Sequence, residues 1–473
     1  MKTACVVLAA GLGKRMKSTL PKVLHRICGT PMLQSVLVSV RELRPERIIV
    51  VAGSHIGVIK ETIGTDGLSY VVQKEAKGTG HAVLCARSGL EGFKGEVLIL
   101  NGDTPLIGHA TLRKFLKLHG RDRNAVSVLS FEAEDPANYG RIVRDGSGHV
   151  VSIVEDKDAD TTQKSIREVN SGVYVLSHAA LSLMDGIRRN RLSGEYYLTD
   201  IIRTASLKGL RVSAYRIGTE DEFMGVNTRE ELHRAAGIMK RNIAMHWAGK
   251  GVTFLDADSV FIHPEVLIGK ETVIYPHVSL EGSTKIGRGA TIYPHVRIRH
   301  SRIGNGATIK DSTVIEDSII KDRASVGPFA HIRPGSEVGR RARIGNFVEL
   351  KNAVVGQDSK ASHLSYLGDT RIGKGVNIGA GTITCNYDGK KKHVTIIEDR
   401  VFVGSDSQLI APVRIGKGAY IGAGSTITSD VPPDALALSR ARQENLEGWA
   451  KRRASEVKIR KGKMKPKGTR QGS

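Results

Sequence analysis

A short segment near the start of the chain carries residue types that suit the binding of phosphate groups. Gly11 and Gly13 follow an apolar run, and glycines in such a turn let the backbone approach a ligand with its N–H groups free. Lys14, Arg15 and Lys22 add cations nearby. The third glycine of a dinucleotide fingerprint and the Gly-Lys-Ser/Thr ending of a P-loop are missing. Turn glycines with a purely structural role are therefore an equal alternative to a phosphate cradle.

A second polar segment, Asn101 to Pro105, follows the apolar run Val97 to Leu100. This segment contains Asp103, and a carboxylate is a suitable Mg²⁺ ligand, because this hard cation prefers one or two carboxylates together with phosphate oxygens. The segment therefore predicts a magnesium ligand close to a phosphate-bearing substrate.

A histidine and a cysteine in the second half are candidates for catalysis. His363 lies near Tyr366, in a stretch where a regular hydrophobic repeat is interrupted. His277 and His295 sit inside the regular repeat and are interpreted as structural. Cys385 is the alternative, as a thiol nucleophile that would form an acyl-enzyme, but no neighbouring residue in the sequence activates it.

Alternating strand and helix patterns in the first part of the chain would position the first two segments. Residues 3–10, 47–52 and 96–100 predict buried strands, and residues 31–43 and 79–90 predict helices between them. This βαβ pattern indicates an open, mainly parallel sheet. Ligands bind beyond the carboxyl ends of the strands in such sheets, which is where both polar segments fall.

A six-residue repeat organises the second half. An aliphatic residue recurs at every sixth position from Ile262 to Ile298, and the pentapeptide Ile-Tyr-Pro-His-Val at 274–278 recurs at 292–296. Three sides of six residues make an 18-residue coil, which predicts a parallel β-helix solenoid. The repeat fails at 351–371 and 382–396, and solenoids carry function on insertions that leave the coil.

A long helix is predicted between the two parts. Thr228 to Glu231 forms a capping box, an apolar face follows, and Gly249 and Gly251 end the pattern. A core helix of the first domain is the competing interpretation. The predicted domains are a sheet domain at 1–227, a helical linker at 228–250, a solenoid at 251–445 and a basic, disordered tail at 446–473.

The net charge of +23 raises the question of nucleic-acid binding. Residues 451–473 alone hold ten Lys or Arg and one Glu, with no aromatic residue for base stacking. A solvated tail accounts for this pattern, and nucleic-acid binding is the less favoured interpretation. The remaining positive charge suits phosphorylated small substrates equally well.

Compartment signals are those of a reducing cytoplasm. No apolar run approaches the ~20 residues of a membrane span. Charge arrives early at Lys14, unlike in a secretory signal. The four scattered cysteines show neither metal-ligand spacing nor a disulfide framework.

The run Leu8-Ala-Ala-Gly11-x-Gly13-x-Arg15-Met16, followed by Pro21-Lys22, resembles the signature of the sugar-1-phosphate nucleotidyltransferases. Gln73, Gly78-Thr79-Gly80 and Gly102-Asp103 fall at base-reading and metal-binding positions of that family. With the hexapeptide solenoid, residues 3 to 445 resemble the bacterial bifunctional uridylyltransferase/acetyltransferase family. The resemblance implies an α/β Rossmann-like nucleotidyltransferase domain, joined by a long helix to a left-handed parallel β-helix, in a homotrimer with the acetyl site between subunits.

The family's activity implies two reactions. Acetyl-CoA would acetylate glucosamine 1-phosphate, and UTP would then react with the product in a Mg²⁺-dependent step that releases pyrophosphate. The resulting UDP-N-acetylglucosamine feeds peptidoglycan and lipid A synthesis. His363 matches the acetyltransfer base, which an amino sugar needs because it arrives largely as an ammonium. The alternatives are a single-activity nucleotidyltransferase with a regulatory β-helix and a non-catalytic binding subunit.

The resemblance also implies two sets of binding residues. For uridylyl transfer these are Leu8, Ala9, Ala10, Gly11, Gln73, Gly78 and Thr79 for uridine, Arg15 and Lys22 for phosphates, Asp103 and Asn227 for Mg²⁺, and Gly140, Glu155 and Asn170 for the sugar, with Asn101 and Gly102 beside them. For acetyl transfer they are Arg333 and Lys351 for the sugar phosphate, Tyr366 and Asn377 for the sugar, and Ala380, Asn386, Tyr387, Ser405, Ala423 and Arg440 for coenzyme A. Asn101 departs from the Tyr or Ser that is commoner before Gly-Asp. Ser405 and Ala423 are one coil apart and should share a side of the solenoid.

Overall fold

The computed structural model describes residues 2–11, 13–190 and 193–463, with side chains to residue 460. Its contacts divide the chain into two compact units, Met1–Arg323 and Ala324–Ser473. The division falls inside the predicted solenoid. The physical reason is that the first coils and the helix before them pack on the sheet domain within the first unit.

A mixed sheet forms the centre of the first unit, with helices on both faces. The strands before the repeats are β1 (Thr3–Ala9), β2 (Arg26–Ile27), β3 (Thr30–Pro31), β4 (Arg47–Ala52), β5 (Ser69–Val72), β6 (Glu96–Asn101), β7 (Val126–Glu132), β8 (Arg141–Arg144), β9 (Val150–Val154), β10 (Glu168–Leu176) and β11 (Val212–Arg216). The helices are α1 (Met32–Arg41), α2 (Ile56–Ile63), α3 (Thr79–Cys85), α4 (His109–Arg121), α5 (Thr161–Lys164), α6 (Asp200–Leu207) and α7 (Arg229–Ala248). The sheet runs in the order β11-β7-β10-β6-β1-β4-β5, with β1 parallel to both β4 and β6. The predicted parallel strands are confirmed.

Alternating residues of the central strands bury both faces of this sheet. In β1, Ala4 and Val6 join one apolar cluster, whereas Cys5 and Val7 join the other. Continuous apolar strands of this kind are expected where helices cover both faces. The polar positions are left for the strand ends, beyond Ala9 and Asn101.

Helix α7 begins with the predicted capping box. Thr228 caps the Glu231 N–H, and the Glu231 carboxylate accepts from the Thr228 N–H at 3.0 Å. Ala235, on its buried face, shares an apolar cluster with Ile27 and Met32. The helix therefore leads from the sheet to the first coils and also packs on the sheet domain, so each interpretation describes part of its role.

Three parallel ladders make up the repeats of the first unit. Their strands are β12 (Thr253–Phe254), β13 (Phe261–Ile262), β14 (Leu267–Ile268), β15 (Val273–Ile274), β16 (Ser279–Glu281), β17 (Lys285–Ile286), β18 (Thr291–Ile292), β19 (Arg297–Arg299), β20 (Arg302–Ile303), β21 (Thr308–Ile309), β22 (Val314–Glu316) and β23 (Ile319–Ile320). Every third strand pairs, so that Ile274 lies beside Ile292. The aliphatic positions from Ile262 to Ile298 are at most 5% exposed, which confirms the six-residue period. The repeated pentapeptides stack as well, with the rings of His277 and His295 4.9 Å apart.

The second unit continues the same construction. Its strands are β24 (Ser325–Val326), β25 (His331–Ile332), β26 (Glu337–Val338), β27 (Arg343–Asn346), β28 (Glu349–Lys351), β29 (Val354–Val355), β30 (Lys360–His363), β31 (Tyr366–Gly368), β32 (Thr370–Ile372), β33 (Asn377–Ile378), β34 (Ile383–Cys385), β35 (Thr395–Ile397), β36 (Phe402–Val403), β37 (Gln408–Ile410), β38 (Val413–Ile415), β39 (Tyr420–Ile421), β40 (Thr426–Ile427) and β41 (Leu436–Ala437). Parallel pairing again joins every third strand, for example β27 with β30 and β30 with β33.

One of the two predicted interruptions is wrong. Residues 351–371 stay in the coil, with Val355, Ala361 and Leu367 buried at the inward positions. A small residue at 361 and two five-residue steps hide the period in the sequence. The other interruption is real, because the chain leaves the coil between β34 and β35.

The tail also differs from the prediction of disorder over 446–473. A helix, α8, runs over Trp449–Lys463. Ala, Lys, Arg and Glu, which favour helices, make up most of its residues, which explains the helix. Residues 464–473 lie outside the described part of the chain. No helix among the described residues combines the length and the apolar character needed to cross a membrane.

Candidate active sites

A cavity of about 420 Å³ opens beyond the carboxyl ends of the central strands. Of the predicted residues, Leu8, Ala9, Ala10, Gly11, Lys22, Gln73, Gly78, Thr79, Asn101, Asp103 and Glu155 line it. It is also lined by Val23, Ala76, Ala82, Glu195 and Tyr197, which the sequence did not single out. The segment with Glu195 and Tyr197 reaches the cavity through tertiary contacts, such as the Tyr196 N–H to the Lys77 carbonyl at 2.8 Å. No local pattern announces such a contact.

The glycine-rich turn is shaped around Lys22. Gly13 has φ 62°, and a Cβ atom there would lie 2.6 Å from Cβ of Lys22. Both the left-handed backbone and the close approach require glycine. Arg15, in contrast, is exposed on the short turn Lys14–Met16 and does not line the cavity.

The Lys22 ammonium lies between two side-chain oxygens. It pairs with the Asp103 carboxylate and donates to Oδ1 of Asn227 at 2.9 Å. The Lys22 and Asp103 side chains are only 11% and 19% exposed. The Val226 N–H donates to the Asp103 carbonyl at 2.9 Å, which ties the two segments together. The structure thus brings together three residues that are far apart in the sequence.

The same oxygens fit a magnesium ion. A carboxylate and an amide oxygen are hard donors, and they already surround a cation in the form of the Lys22 ammonium. Among the described residues no group of three His, Cys, Asp or Glu could hold a metal. Two protein oxygens, from Asp103 and Asn227, are enough for Mg²⁺, because this ion takes several of its ligands from water and phosphate.

The predicted sugar residues also come together. The Asn170 N–H donates to the Gly140 carbonyl at 2.8 Å, and a Cβ on Gly140 would lie 3.5 Å from Oε2 of Glu155. Thr199 donates to Oε1 of Glu155 at 3.0 Å, and burial raises the pKa of this carboxyl. The side chain of Asn101 packs against Gly172, whose N–H donates to Oδ1 of Asn170.

Backbone geometry accounts for two further predicted glycines. Gly78, with φ 96°, precedes α3, and a Cβ there would lie 2.5 Å from the Tyr196 carbonyl oxygen. Gly102 is buried and donates its N–H to the Leu8 carbonyl at 2.8 Å. It supports the strand end but does not line the cavity.

In the second unit, His363 stands at the end of β30 with its ring exposed. Its Nδ1 lies 2.6 Å from Oδ1 of Asn346, its register partner in β27. An amide oxygen accepts only, so Nδ1 carries the proton and Nε2 keeps its lone pair. The arrangement can supply a base. Asn346 was missed because 17 residues separate it from His363.

Several basic side chains lie on the coils next to the strand that carries His363. Lys351 in β28 pairs in register with Gly368 of β31, and Arg333 donates to Glu349 at 2.7 Å. Lys392, which the sequence did not single out, reaches Lys351 from the loop that leaves the coil. The contact with Lys351 lowers the pKa of Lys392. One phosphate group can contact both amino groups at this point.

A buried carboxylate anchors that loop. Asp369 accepts from the side-chain amides of Asn352 at 2.6 Å and Asn386 at 2.5 Å. Burial raises the pKa of Asp369, but these hydrogen bonds and the charges of Lys392 and Lys351 outweigh it and hold the pKa below its ordinary value. Asn386 is therefore fixed in orientation.

The remaining predicted residues fall on defined positions of the coil. Tyr366 and Asn377 begin β31 and β33, and Asn377 pairs with Lys360 of the strand that carries His363. Tyr387 is 60% exposed on the loop, and its hydroxyl donates to the Gly389 carbonyl at 2.6 Å. Cys385 precedes this loop, and burial raises the pKa of its thiol, so it is protonated at neutral pH.

Four predicted coenzyme A residues form one column. The Asp406 N–H donates to the Ala380 carbonyl at 2.7 Å, and the Gly424 N–H donates to the Ser405 carbonyl at 2.9 Å. Arg440 donates to the Ala423 carbonyl at 2.7 Å. The prediction that Ser405 and Ala423 share a side of the solenoid is confirmed.

Comparisons with known protein families match three separate parts of the chain. Residues 5–189 match the MobA-like NTP transferase domain, residues 257–339 the GMPPB C-terminal domain and residues 395–429 the bacterial transferase hexapeptide repeats. The hexapeptide match, with the three parallel ladders, identifies a left-handed parallel β-helix. Among solved structures, UDP-glucose pyrophosphorylase complexed with UDP-glucose aligns over 51% of this chain and 100% of that chain, with 22% identity and a TM-score of 0.43.

Curated relatives match nearly end to end. "Bifunctional protein GlmU" of Thermodesulfovibrio yellowstonii is 49% identical, over 95% of this chain and 99% of the relative. The proteins of the same name from Caldanaerobacter subterraneus subsp. tengcongensis and Halalkalibacterium halodurans are 48% and 47% identical, over 97% and 94% of this chain. The chain therefore belongs to the family of bifunctional GlmU proteins.

Proposed function

We propose that the chain makes UDP-N-acetylglucosamine in two reactions at two sites. At the second-unit site, the amino group of glucosamine 1-phosphate takes an acetyl group from acetyl-CoA. At the first-unit cavity, the product reacts with UTP and pyrophosphate leaves. The single observation that carries the proposal is that each unit gathers its own set of charged and hydrogen-bonding groups, around Lys22 and around His363.

In the uridylyl step, a phosphate oxygen of the sugar attacks the α-phosphorus of UTP, and the bond to pyrophosphate breaks. The protein binds and aligns the two reactants and offsets their negative charge. Lys22 supplies a largely buried cation, and Gly11 offers a bare backbone against which phosphate can lie. Glu155 and Asn170 hold the sugar hydroxyls. No protein nucleophile is required.

Mg²⁺ would be held by Asp103 and Asn227. When bound, the ion supplies additional positive charge beside the phosphates. Arg15 is proposed as a phosphate contact from outside the cavity wall, supported by its place on the turn that follows Gly13.

In the acetyl step, His363 acts as the general base. Nδ1–H is held by Asn346, so Nε2 accepts a proton from the sugar's amino group. The freed nitrogen attacks the thioester carbonyl, the C–S bond breaks, and coenzyme A leaves as a thiolate that takes up a proton. Arg333, Lys351 and Lys392 bind the sugar phosphate, while Tyr366 and Asn377 hold the ring. The coenzyme lies along the column of Ala380, Ser405, Ala423 and Arg440, near Asn386 and Tyr387.

Separate assays of the purified protein test this proposal. Glucosamine 1-phosphate with acetyl-CoA is expected to release free thiol, and N-acetylglucosamine 1-phosphate with UTP and Mg²⁺ to release pyrophosphate. Pyrophosphate release without thiol release would favour a single-activity nucleotidyltransferase. Absence of both would favour a binding subunit.

A homotrimer is supported by an apolar column beside the acetyl site. Phe329, Phe347 and Leu364 are 52%, 57% and 60% exposed, and the two phenyl rings stack at 5.4 Å. Phe347 and Leu364 directly follow Asn346 and His363. A neighbouring subunit covering this column would border the acetyl site. Phe347→Lys is expected to yield monomers that lose acetyl transfer alone, measured by analytical ultracentrifugation. Val58→Lys, at another exposed apolar side chain, is the control.

The cytoplasm is the proposed location. It supplies UTP and acetyl-CoA, and it suits the four free cysteines, Cys5, Cys28, Cys85 and Cys385. Fractionation of cells followed by the thiol-release assay would test it. Activity confined to a cell-surface fraction would contradict it.

A further inference from the structure

We propose that His81 is a positioning residue that makes the cavity select uracil over cytosine, by fixing the orientation of the Gln73 side-chain amide. The inference rests on the proposed function and on the family resemblance, which implies that Gln73 binds the uracil of UTP. His81 itself does not line the cavity, so it acts through Gln73. The argument depends on how the polar atoms of these two side chains are paired.

Both N–H groups of the Gln73 amide are engaged by the protein. Nε2 lies 3.1 Å from the Gly78 carbonyl oxygen, which accepts only. It also lies 3.0 Å from Nδ1 of His81. Since Nε2 donates to Nδ1, the imidazole is in the Nε2–H tautomer, and Sγ of Cys85, 3.9 Å from Nε2, is a weak acceptor for that proton. The three groups therefore agree on one proton arrangement.

This arrangement leaves one polar atom of Gln73 for a ligand. The side chain lines the cavity and is only 5% exposed, and Oε1 is not hydrogen-bonded to any described residue. A carbonyl oxygen can only accept. The cavity therefore offers an acceptor to the base, and it cannot offer a donor at this point without giving up a hydrogen bond to Gly78 or His81.

Uracil and cytosine differ at the ring nitrogen N3. Uracil carries N3–H, a donor, whereas cytosine has a bare N3, an acceptor. Oε1 of Gln73 pairs with the first and opposes the second. A buried acceptor that faces another acceptor stays unpaired, a penalty of roughly tenfold to hundredfold in binding. His81 maintains this penalty, because it accepts the second N–H of the Gln73 amide. Without His81, that N–H could turn toward N3 of cytosine.

The test compares UTP and CTP as substrates with N-acetylglucosamine 1-phosphate. His81→Leu is expected to lower the UTP:CTP ratio of kcat/KM about tenfold, mainly through a lower KM for CTP, with kcat within about threefold. His81→Asn, whose amide oxygen can accept in place of Nδ1, should restore most of the ratio. Acetyl transfer on the same preparations should be unchanged, which shows that the chain is folded.

A double-mutant cycle separates positioning from a general structural role. Gln73→Leu should lower the UTP:CTP ratio, and adding His81→Leu to it should change the ratio no further. An additive second effect, or an unchanged ratio in His81→Leu alone, would overturn the proposal. An unchanged ratio in Gln73→Leu would overturn it too, and would show that uracil does not meet Gln73. A wild-type enzyme that makes no pyrophosphate at all would instead contradict the proposed function.

Discussion

Asn346 and His363 are register partners on adjacent parallel strands, and Oδ1 of the first lies 2.6 Å from Nδ1 of the second. The backbone ladder sets this spacing, since β27 and β30 pair over Arg343, Ile344 and Asn346. A single hydrogen bond thus selects the tautomer of a solvent-exposed histidine. The register between coils therefore orients the histidine that is proposed as the base.

Removing the side-chain oxygen of Asn346, which accepts the Nδ1–H of His363, should slow acetyl transfer. Asn346→Leu is expected to lower kcat roughly tenfold to hundredfold, because the ring loses its preferred tautomer and orientation. Asn346→Asp keeps an acceptor and should remain active, with the acid limb of its pH–rate profile at higher pH, since a carboxylate favours the imidazolium. Thiol release measured against pH checks both variants. Equal activity in wild type and Asn346→Leu would rule out this role.

The two activities should be separable by single substitutions. His363→Ala is expected to abolish acetyl transfer, with uridylyl transfer close to normal, because His363, the proposed base, lies in the second unit. Asp103→Ala should do the reverse, since it removes the partner of Lys22. Assays of thiol and pyrophosphate release on each variant provide the measurement. Loss of both activities in either variant, with the fold intact by circular dichroism, would mean that the sites are not independent.

We expect acetyl transfer to proceed without a thiol nucleophile. Burial raises the pKa of Cys385, so the reactive thiolate is scarce near pH 7 and increases only as the pH rises toward that pKa. Cys385→Ala should therefore keep acetyl transfer within about threefold of wild type, since only packing changes. Mass spectrometry of the enzyme with acetyl-CoA alone should show no acetylated chain. An acetyl group on Cys385 would revive the covalent route.

Lys392 should contribute to binding of the sugar phosphate. Lys392→Met keeps most of the side chain's bulk but removes one of the two ammonium groups that meet at this point. The KM for glucosamine 1-phosphate is expected to rise about tenfold, with a smaller change in kcat, because the contact is already made in the ground state. Lys390→Met, on the same loop, is the control. A lower kcat with an unchanged KM would contradict the assignment.

Gly13 should be intolerant of a side chain. Gly13→Ala adds a Cβ that would lie 2.6 Å from Cβ of Lys22, at a φ of 62°. Displacement of the ammonium should lower uridylyl transfer at least about tenfold, while acetyl transfer is unaffected. Gly92→Ala is a matched control, because its φ is also positive, at 70°, but nothing lies within 4 Å of the added Cβ. Both variants carry a similar backbone strain of about 1–2 kcal/mol. Equal uridylyl activity in the two variants would argue against the role of the turn.

The sequence determined the features that follow from local residue order. Strict spacing of aliphatic residues from Ile262 onward predicted the solenoid, because each inward position must be apolar wherever the coil turns every six residues. The apolar runs that end at Ala10 and Leu100 predicted where the first cavity opens, because parallel strands present their carboxyl ends at one edge. The family resemblance, which rests on sequence motifs, assigned further roles, such as that of Asn227 as a Mg²⁺ ligand.

Only the tertiary structure decided which distant residues are neighbours. Lys392 beside Lys351, Asn346 beside His363 and Tyr197 in the first cavity have no local signature, because coil register and loop paths bring them together. The coil continues through 351–371 although Ala361 takes an inward position that elsewhere holds a larger aliphatic residue. The buried alanine fits there because larger inward residues of the adjacent coils pack beside it. The periodicity of the sequence indicates whether a side chain faces inward or outward. The chemistry of these sites depends on which other side chains lie next to it, and only the folded chain determines those neighbours.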